Sequence, residues 1–217
     1  MKTIGISFLL TILSLSVFSQ NDYEKAMLDA VNQYNSAYSA SDIQASAQQF
    51  ERIAEVETDK WLPPYYASVA YCMLAFRNED PKEKEAYTTK AQEFCDKAME
   101  NAPKESEVHA LQGMIYQAII GVDPQNNGQS YSAKANGSFQ TAMQLDPKNP
   151  RPLYLQAIQV MYTPEQYGGG AKVALPMFEH AMQLFESFEP ESPIYPNWGK
   201  EHCEQSMNQC QEAQASL

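Results

Sequence analysis

The sequence predicts an all-α protein, an α-solenoid of about four helical hairpins closed by a C-terminal capping helix. Three observations carry that prediction. A register of small and large residues recurs along the chain, a further small residue follows it at a fixed distance, and helix start and stop signals divide the chain into helix-length pieces.

The register is clearest where Ala91, Cys95, Ala98 and Pro103 recur as Ala135, Phe139, Ala142 and Pro147. A third copy, Ala174, Phe178 and Ala181, has Glu186 at the proline place, and a weaker first copy reads Ser46, Phe50 and Ile53 with Thr58 there. Fifteen residues after the last apolar position stands another small residue: Ile53 leads to Ser68, Ala98 to Gly113 and Ala142 to Ala157. Tyr71 and Tyr116 follow two of these by three residues. Paired helices explain the spacing. Small residues let two backbones approach, and the large residue one turn earlier fills the space beside them. A proline just past the second helix stops it and turns the chain towards the next pair.

The elements follow in chain order. Residues 1–19 have the layout of a secretory signal peptide: Lys2, an apolar run of 15 residues from Ile4 to Phe18, and Val17-Phe18-Ser19 before a cut after Ser19. A bilayer core needs about 20 apolar residues, so the run is short for a stable span, and no other segment approaches one. No cysteine stands at the expected new N-terminus to carry a lipid. Residues 20–217 form the repeat domain. Ser41 with Gln44, Asp80 with Pro81 and Glu83, and Asn149 with Pro150 read as capped helix starts. Two insertions, around Asn78–Pro81 and Gly121–Ser130, fall between the helices of a pair. Their Asp123-Pro124 and Asn127-Gly128 dipeptides predict loops. Pro190, Pro193 and Pro196 separate off the closing helix, expected at about 197–214, whose polar face covers the open end of the array.

The stretches AQEFCDKAMENAPKESEVHALQGMIY, from Ala91, and FQTAMQLDPKNPRPLYLQA, from Phe139, resemble the tetratricopeptide repeat (TPR) family over roughly residues 42–187. The copies depart from that family in two ways. Counted from Ile53, Ala98, Ala142 and Ala181 they stand 45, 44 and 39 residues apart, whereas the family's period is about 34. His109 and Leu153 stand where a tryptophan is usual. The resemblance implies that a ligand lies against the first helix of each hairpin, on residues three before, one after and four after its small position. Those positions hold Tyr65, Val69 and Cys72, then Ala110, Met114 and Gln117, then Tyr154, Ile158 and Met161. No Lys, Arg or Asn occurs among them, so a grip on a peptide's C-terminal carboxylate is not expected. Tyr65, Val69, Met114, Gln117, Tyr154, Ile158 and Met161 are the candidate partner-binding residues, an apolar strip fit for another polypeptide. Either the strip is a free groove, or the chain's own helices cover it.

Chemistry-bearing groups give less. Formal net charge is −12, and loss of residues 1–19, with their one Lys and no acid, makes it −13. Such a surface repels phosphate backbones, so nucleic acid is not an expected partner. Cys203 and Cys210, seven apart on one helix, stand about 10.5 Å apart, beyond disulfide reach, while Cys72 and Cys95 lie on neighbouring helices and can meet. His109, His180 and His202 lack metal-ligand spacing, and His202 and Cys203 are helix neighbours pointing different ways. Thr163–Gly170 ends in three glycines without phosphate-loop spacing, which reads as a tight turn that only glycine fits. Neither a cofactor nor a metal is expected. The expected role is an exported interaction or scaffolding module, periplasmic or extracellular, without catalysis. A small enzyme with its site near the Tyr167–Gly170 turn and a structural subunit of an envelope assembly are the alternatives.

Overall fold

The computed structural model describes residues 4–215, with side chains from Gln20 onward. The signal-peptide side chains and the cut after Ser19 lie outside the described ones. Nine α-helices and one 3-10 turn make up the regular structure of the described residues. The helices are α1 (Ile4–Asn35), α2 (Ala40–Val56), α3 (Leu62–Arg77), α4 (Pro81–Asn101), α5 (Ser106–Ile120), α6 (Pro124–Leu145), α7 (Pro150–Tyr162), α8 (Ala171–Ser187) and α9 (Lys200–Ala215). None is long and apolar enough to cross a membrane.

The helices pair as α1/α2, α3/α4, α5/α6 and α7/α8, with α9 packed on α8. This is the expected solenoid of four hairpins and a closing helix. First helices also touch across the array, α1 with α3, α3 with α5, and α5 with α7, and α7 touches α9. From α3 onward they form the inner row, which α9 closes.

The repeat register is the core. Phe50, Phe139 and Phe178 are fully buried, as are the small residues Ala98, Ala142, Ala157 and Ala181. Two small polar positions also tie neighbouring backbones together. Ser68 Oγ donates to the Ala91 carbonyl at 2.7 Å, and Ser106 Oγ to that of Ala142 at 2.8 Å. Both bonds satisfy a buried hydroxyl where no larger residue fits.

Prolines and caps start the helices. Asp80, Asp123 and Asn149 cap α4, α6 and α7, each followed by proline at the first helical position. The first cap differs from expectation. Ser39, not Ser41, caps α2, in a reciprocal box with Asp42. The insertion at 78–80 is a short non-helical link, as expected, but the one at 121–130 differs more: it lengthens the second helix, α6, to 22 residues, and Asn127-Gly128 lies within it. The reason is local: Asp123 and Pro124 start the helix three residues before Asn127, and the turn dipeptide is absorbed. Pro176 stands in the second turn of α8, which begins at Ala171.

The glycine turn is as expected. Gly168 and Gly170 have φ of 84° and 96°, and a Cβ on Gly169 would stand 2.2 Å from the Thr163 carbonyl oxygen. Only glycine meets both demands. All four cysteines are free and buried, so Cys72 and Cys95 do not bridge.

Candidate functional site

The inner row of α3, α5, α7 and α9 should present the apolar strip. Its N-terminal half is instead covered by the chain itself. Residues 188–199, between α8 and α9, leave α8 at α7, cross to the start of α3, and return. On the outward leg Tyr66 Oη donates to the Ile194 carbonyl at 3.1 Å, and the Tyr195 ring meets Trp61 edge-on at 5.8 Å. Tyr195 Oη donates to Glu105 at 2.9 Å, at the start of α5. On the return leg Trp198 Nε1 donates to Tyr65 Oη at 3.0 Å. The prolines expected to separate off the last helix thus belong to a packed strap.

Beneath the strap lies a buried ion pair. Arg151 Nη1 stands 2.7 Å from Glu107 Oε1, and neither side chain is exposed. Tyr65 Oη donates to the other carboxylate oxygen at 3.2 Å. Arg151 also donates to the Pro196 carbonyl, and its guanidinium lies 4.6 Å from the Phe188 ring centre and 5.5 Å from that of Trp198. Burial pushes the Glu107 carboxyl up to about 7, against the pull of Arg151. The two charges neutralise each other and Arg151 Nη2 reaches the strap, so the pair works as an anchor, although Arg151 Nε is buried without a hydrogen-bond partner.

This arrangement narrows the candidate strip. Tyr65, Val69, Met114 and Tyr154 are buried, with Tyr65 fully enclosed, so the strap and their neighbours withhold them from any partner. Cys72 and Ala110 are buried as well. Gln117, Ile158 and Met161 are half-buried and reach the surface. Gln117 is partly occupied, since its side-chain amide donates to the Leu155 carbonyl at 2.7 Å. What stays open is the C-terminal half of the inner row, a ledge of Ile158 and Met161 edged by the exposed Tyr162.

At the border of strap and ledge stands His202, in the first turn of α9. Its Nδ1 is 2.5 Å from Tyr154 Oη, and the two rings meet edge-on at 5.9 Å. Tyr154 is buried, also packing edge-on against Phe185, whereas His202 is exposed. Burial of part of the ring holds the imidazole below its ordinary value. Cys203 turns the other way and is fully buried, its thiol facing the Phe178 carbonyl. Among the described residues no group of three His, Cys, Asp or Glu side chains stands close enough to hold a metal ion.

Sequence reasoning missed Glu107, Arg151 and Trp198, and set His202 aside for want of metal-ligand spacing. For the first two a signal existed. Glu107 precedes Gly113 by six residues, and Arg151 precedes Ala157 by six, so the repeat places opposite charges at one position of adjacent first helices.

No family model matches the chain, and no curated protein does. Solved structures do. A TPR protein from Thermus thermophilus superposes with a TM-score of 0.55 at 13% identity, covering 90% of this chain and 96% of that one, which shows the fold. The HusA haemophore from Porphyromonas gingivalis superposes with a TM-score of 0.79. It shares 30% identity across 88% of this chain and 94% of its own length. The chain belongs to the family of the HusA haemophore, a helical, TPR-like binding module.

Proposed function

We propose that this protein is an exported haemophore-type carrier, which takes a porphyrin such as haem onto the open half of its inner row and delivers it to another polypeptide. The observation that carries the reading is the likeness to the HusA haemophore, whose name states its cargo, over nearly the whole of both chains. The ledge supports it. Ile158 and Met161, four and seven residues beyond Tyr154, lie on one helix face and give a flat apolar ligand a place to rest. Export accords with the signal-like first 19 residues. The role is one of binding, without catalysis.

Trp61 and Trp198, the chain's 2 tryptophans, both touch the strap region and provide the readout. Ferric haem and metal-free protoporphyrin should each quench their fluorescence saturably. Ile158→Asp with Met161→Asp should weaken both by at least about tenfold, because a ring that rested on apolar groups would have to desolvate carboxylates. Quenching by neither porphyrin would sink the proposal.

One observation favours a further role for the same face. The strap is itself a non-helical polypeptide, turned at 192–195 and held by backbone carbonyls of Ile194 and Pro196, so the inner row has the chemistry to grip a peptide. A polypeptide acceptor that displaces the strap would use it. Co-purification from the native host, lost with the Ile158 and Met161 changes, is the expected result.

A further inference from the structure

Consecutive helices of the array run antiparallel, so the turns inside the pairs fall along one edge and the connections between pairs along the other. Four aromatic side chains are exposed among the described residues, Tyr38, Phe76, Tyr162 and Tyr167, and all four stand at the first of these edges. Tyr38 lies in the α1/α2 turn, Phe76 in the last turn of α3, Tyr162 at the end of α7, and Tyr167 in the turn beyond it. Between them the α5/α6 turn brings the half-buried Ile120 and Val122. Neighbouring turns are tied together: Arg77 Nη1 donates to the Tyr38 carbonyl at 2.9 Å, and Lys84 Nζ to that of Gly121 at 3.2 Å. Apolar residues scattered singly over a surface need no explanation, but every exposed ring on one edge does. Nor is Tyr167 left on a loose loop. The Gly170 N–H donates to the Val160 carbonyl at 2.9 Å, and the glycine-only backbone of 168–170 fixes the turn that holds the ring out, 75% exposed.

Charge and topology say what this edge meets. Its acids are largely occupied: Asp42, Asp80 and Asp123 bond to the starts of α2, α4 and α6, and Arg77, Lys82, Lys84 and Lys172 stand beside the rest. A denser group of acids stands at the opposite edge, with Glu55, Glu57 and Asp59 about the end of α2 and Glu186, Glu189 and Glu191 about the end of α8. The strap closes the inner row on that acidic edge, so the Ile158 and Met161 ledge opens towards the turns, where Met161 adjoins Tyr162. A protein hot spot gathers its rings into one packed centre, whereas these are spread over three of the four turns. Rings carrying a hydroxyl, set singly along a weakly charged edge, suit the boundary between lipid headgroups and acyl chains, where the ring is buried and the hydroxyl stays wet.

We propose that the turn edge docks reversibly on the interface of a zwitterionic lipid bilayer through Tyr38, Phe76, Tyr162 and Tyr167, which sets the open end of the ledge against the lipid. This goes beyond the carrier reading and stands without it. The acidic opposite edge faces away from the bilayer and keeps the molecule off anionic surfaces.

The test is co-flotation of the purified protein with phosphatidylcholine vesicles, and with vesicles containing phosphatidylglycerol. Wild type should float with the first and less with the second at low salt. A variant carrying Tyr38→Ser, Tyr162→Ser and Tyr167→Ser should partition at least about tenfold more weakly, because binding scales with the apolar area buried in the interface. Val56→Ser with Leu145→Ser removes exposed apolar groups from the opposite edge and should float as wild type does. Circular dichroism of each variant confirms that the helices remain. Flotation that the triple variant retains places the contact elsewhere and overturns the assignment, as does a wild type that stays in solution. In the latter case, a wild-type dimer in sedimentation that the triple variant breaks would give the edge to a second copy. A co-purified polypeptide lost with the same changes would give it to a protein. Porphyrin quenching without vesicles is read independently, so either reading can fail alone.

Discussion

A Cβ built on Gly113 would stand 2.2 Å from Cε1 of Phe139, closer than any real contact, and both residues are fully enclosed between α5 and α6. The same register that puts a small residue at 113 puts an aromatic at 139, so each side chain presupposes the other. Gly113→Ala should therefore destabilise the protein by about 1–3 kcal/mol, the usual cost of overpacking a filled core, as read from its urea midpoint. An unchanged midpoint would mean that the Phe139 ring has room to swing aside, against the packing described. Gly137 is the control. It lies within α6 with nothing within 4 Å of its Cβ position, so Gly137→Ala should gain up to about 1 kcal/mol from helix propensity alone. Two glycines 24 positions apart thus respond with opposite sign, and only the repeat register tells them apart.

At the scale of elements, the strap at 188–199 depends on the Glu107–Arg151 pair more than on its own sequence. Removing one partner from a buried pair leaves an uncompensated charge, so Glu107→Ala should cost about 3–5 kcal/mol and raise hydrogen exchange at Ile194–Trp198 before the rest of the fold. Arg151→Met in the same chain should recover much of the stability, since no buried charge is left, without restoring slow exchange in the strap. If the double variant protects the strap as wild type does, the pair is not its anchor. This is also where the sequence ceased to be legible. Hairpins, caps at Asp80 and Asn149, and the glycine turn follow from local chemistry: a polar cap, a proline at the first helical position, a φ that only glycine takes. The strap does not. Pro190, Pro193 and Pro196 state only that the chain is not helical, and where a non-helical segment lies is decided by partners far away in sequence, such as Arg151, 45 residues before Pro196. Gly128 failed in the opposite sense. Its pairing with Asn127 reads as a turn, but Asp123 and Pro124 had already begun a helix that the packing of α6 on α5 carries through it.

For the whole molecule, the inner row places an apolar ledge on a chain whose formal net charge is −12. On the proposed carrier role, the two propionates of haem meet this surface with long-range repulsion, and what holds the ring acts at contact, through apolar burial on Ile158 and Met161. Long-range and contact forces respond differently to salt. Added salt shortens the screening length from about 30 Å at 0.01 M to about 3 Å at 1 M, which weakens repulsion between the propionates and the acidic surface but barely touches apolar contact. Stopped-flow association of ferric haem should therefore quicken several-fold from low to high salt while dissociation stays nearly constant. This is the reverse of the salt response of a site that draws its ligand in with lysines and arginines. Association that slows with salt would show that a cationic rim steers the propionates, and would move the docking site away from the ledge to wherever those cations lie.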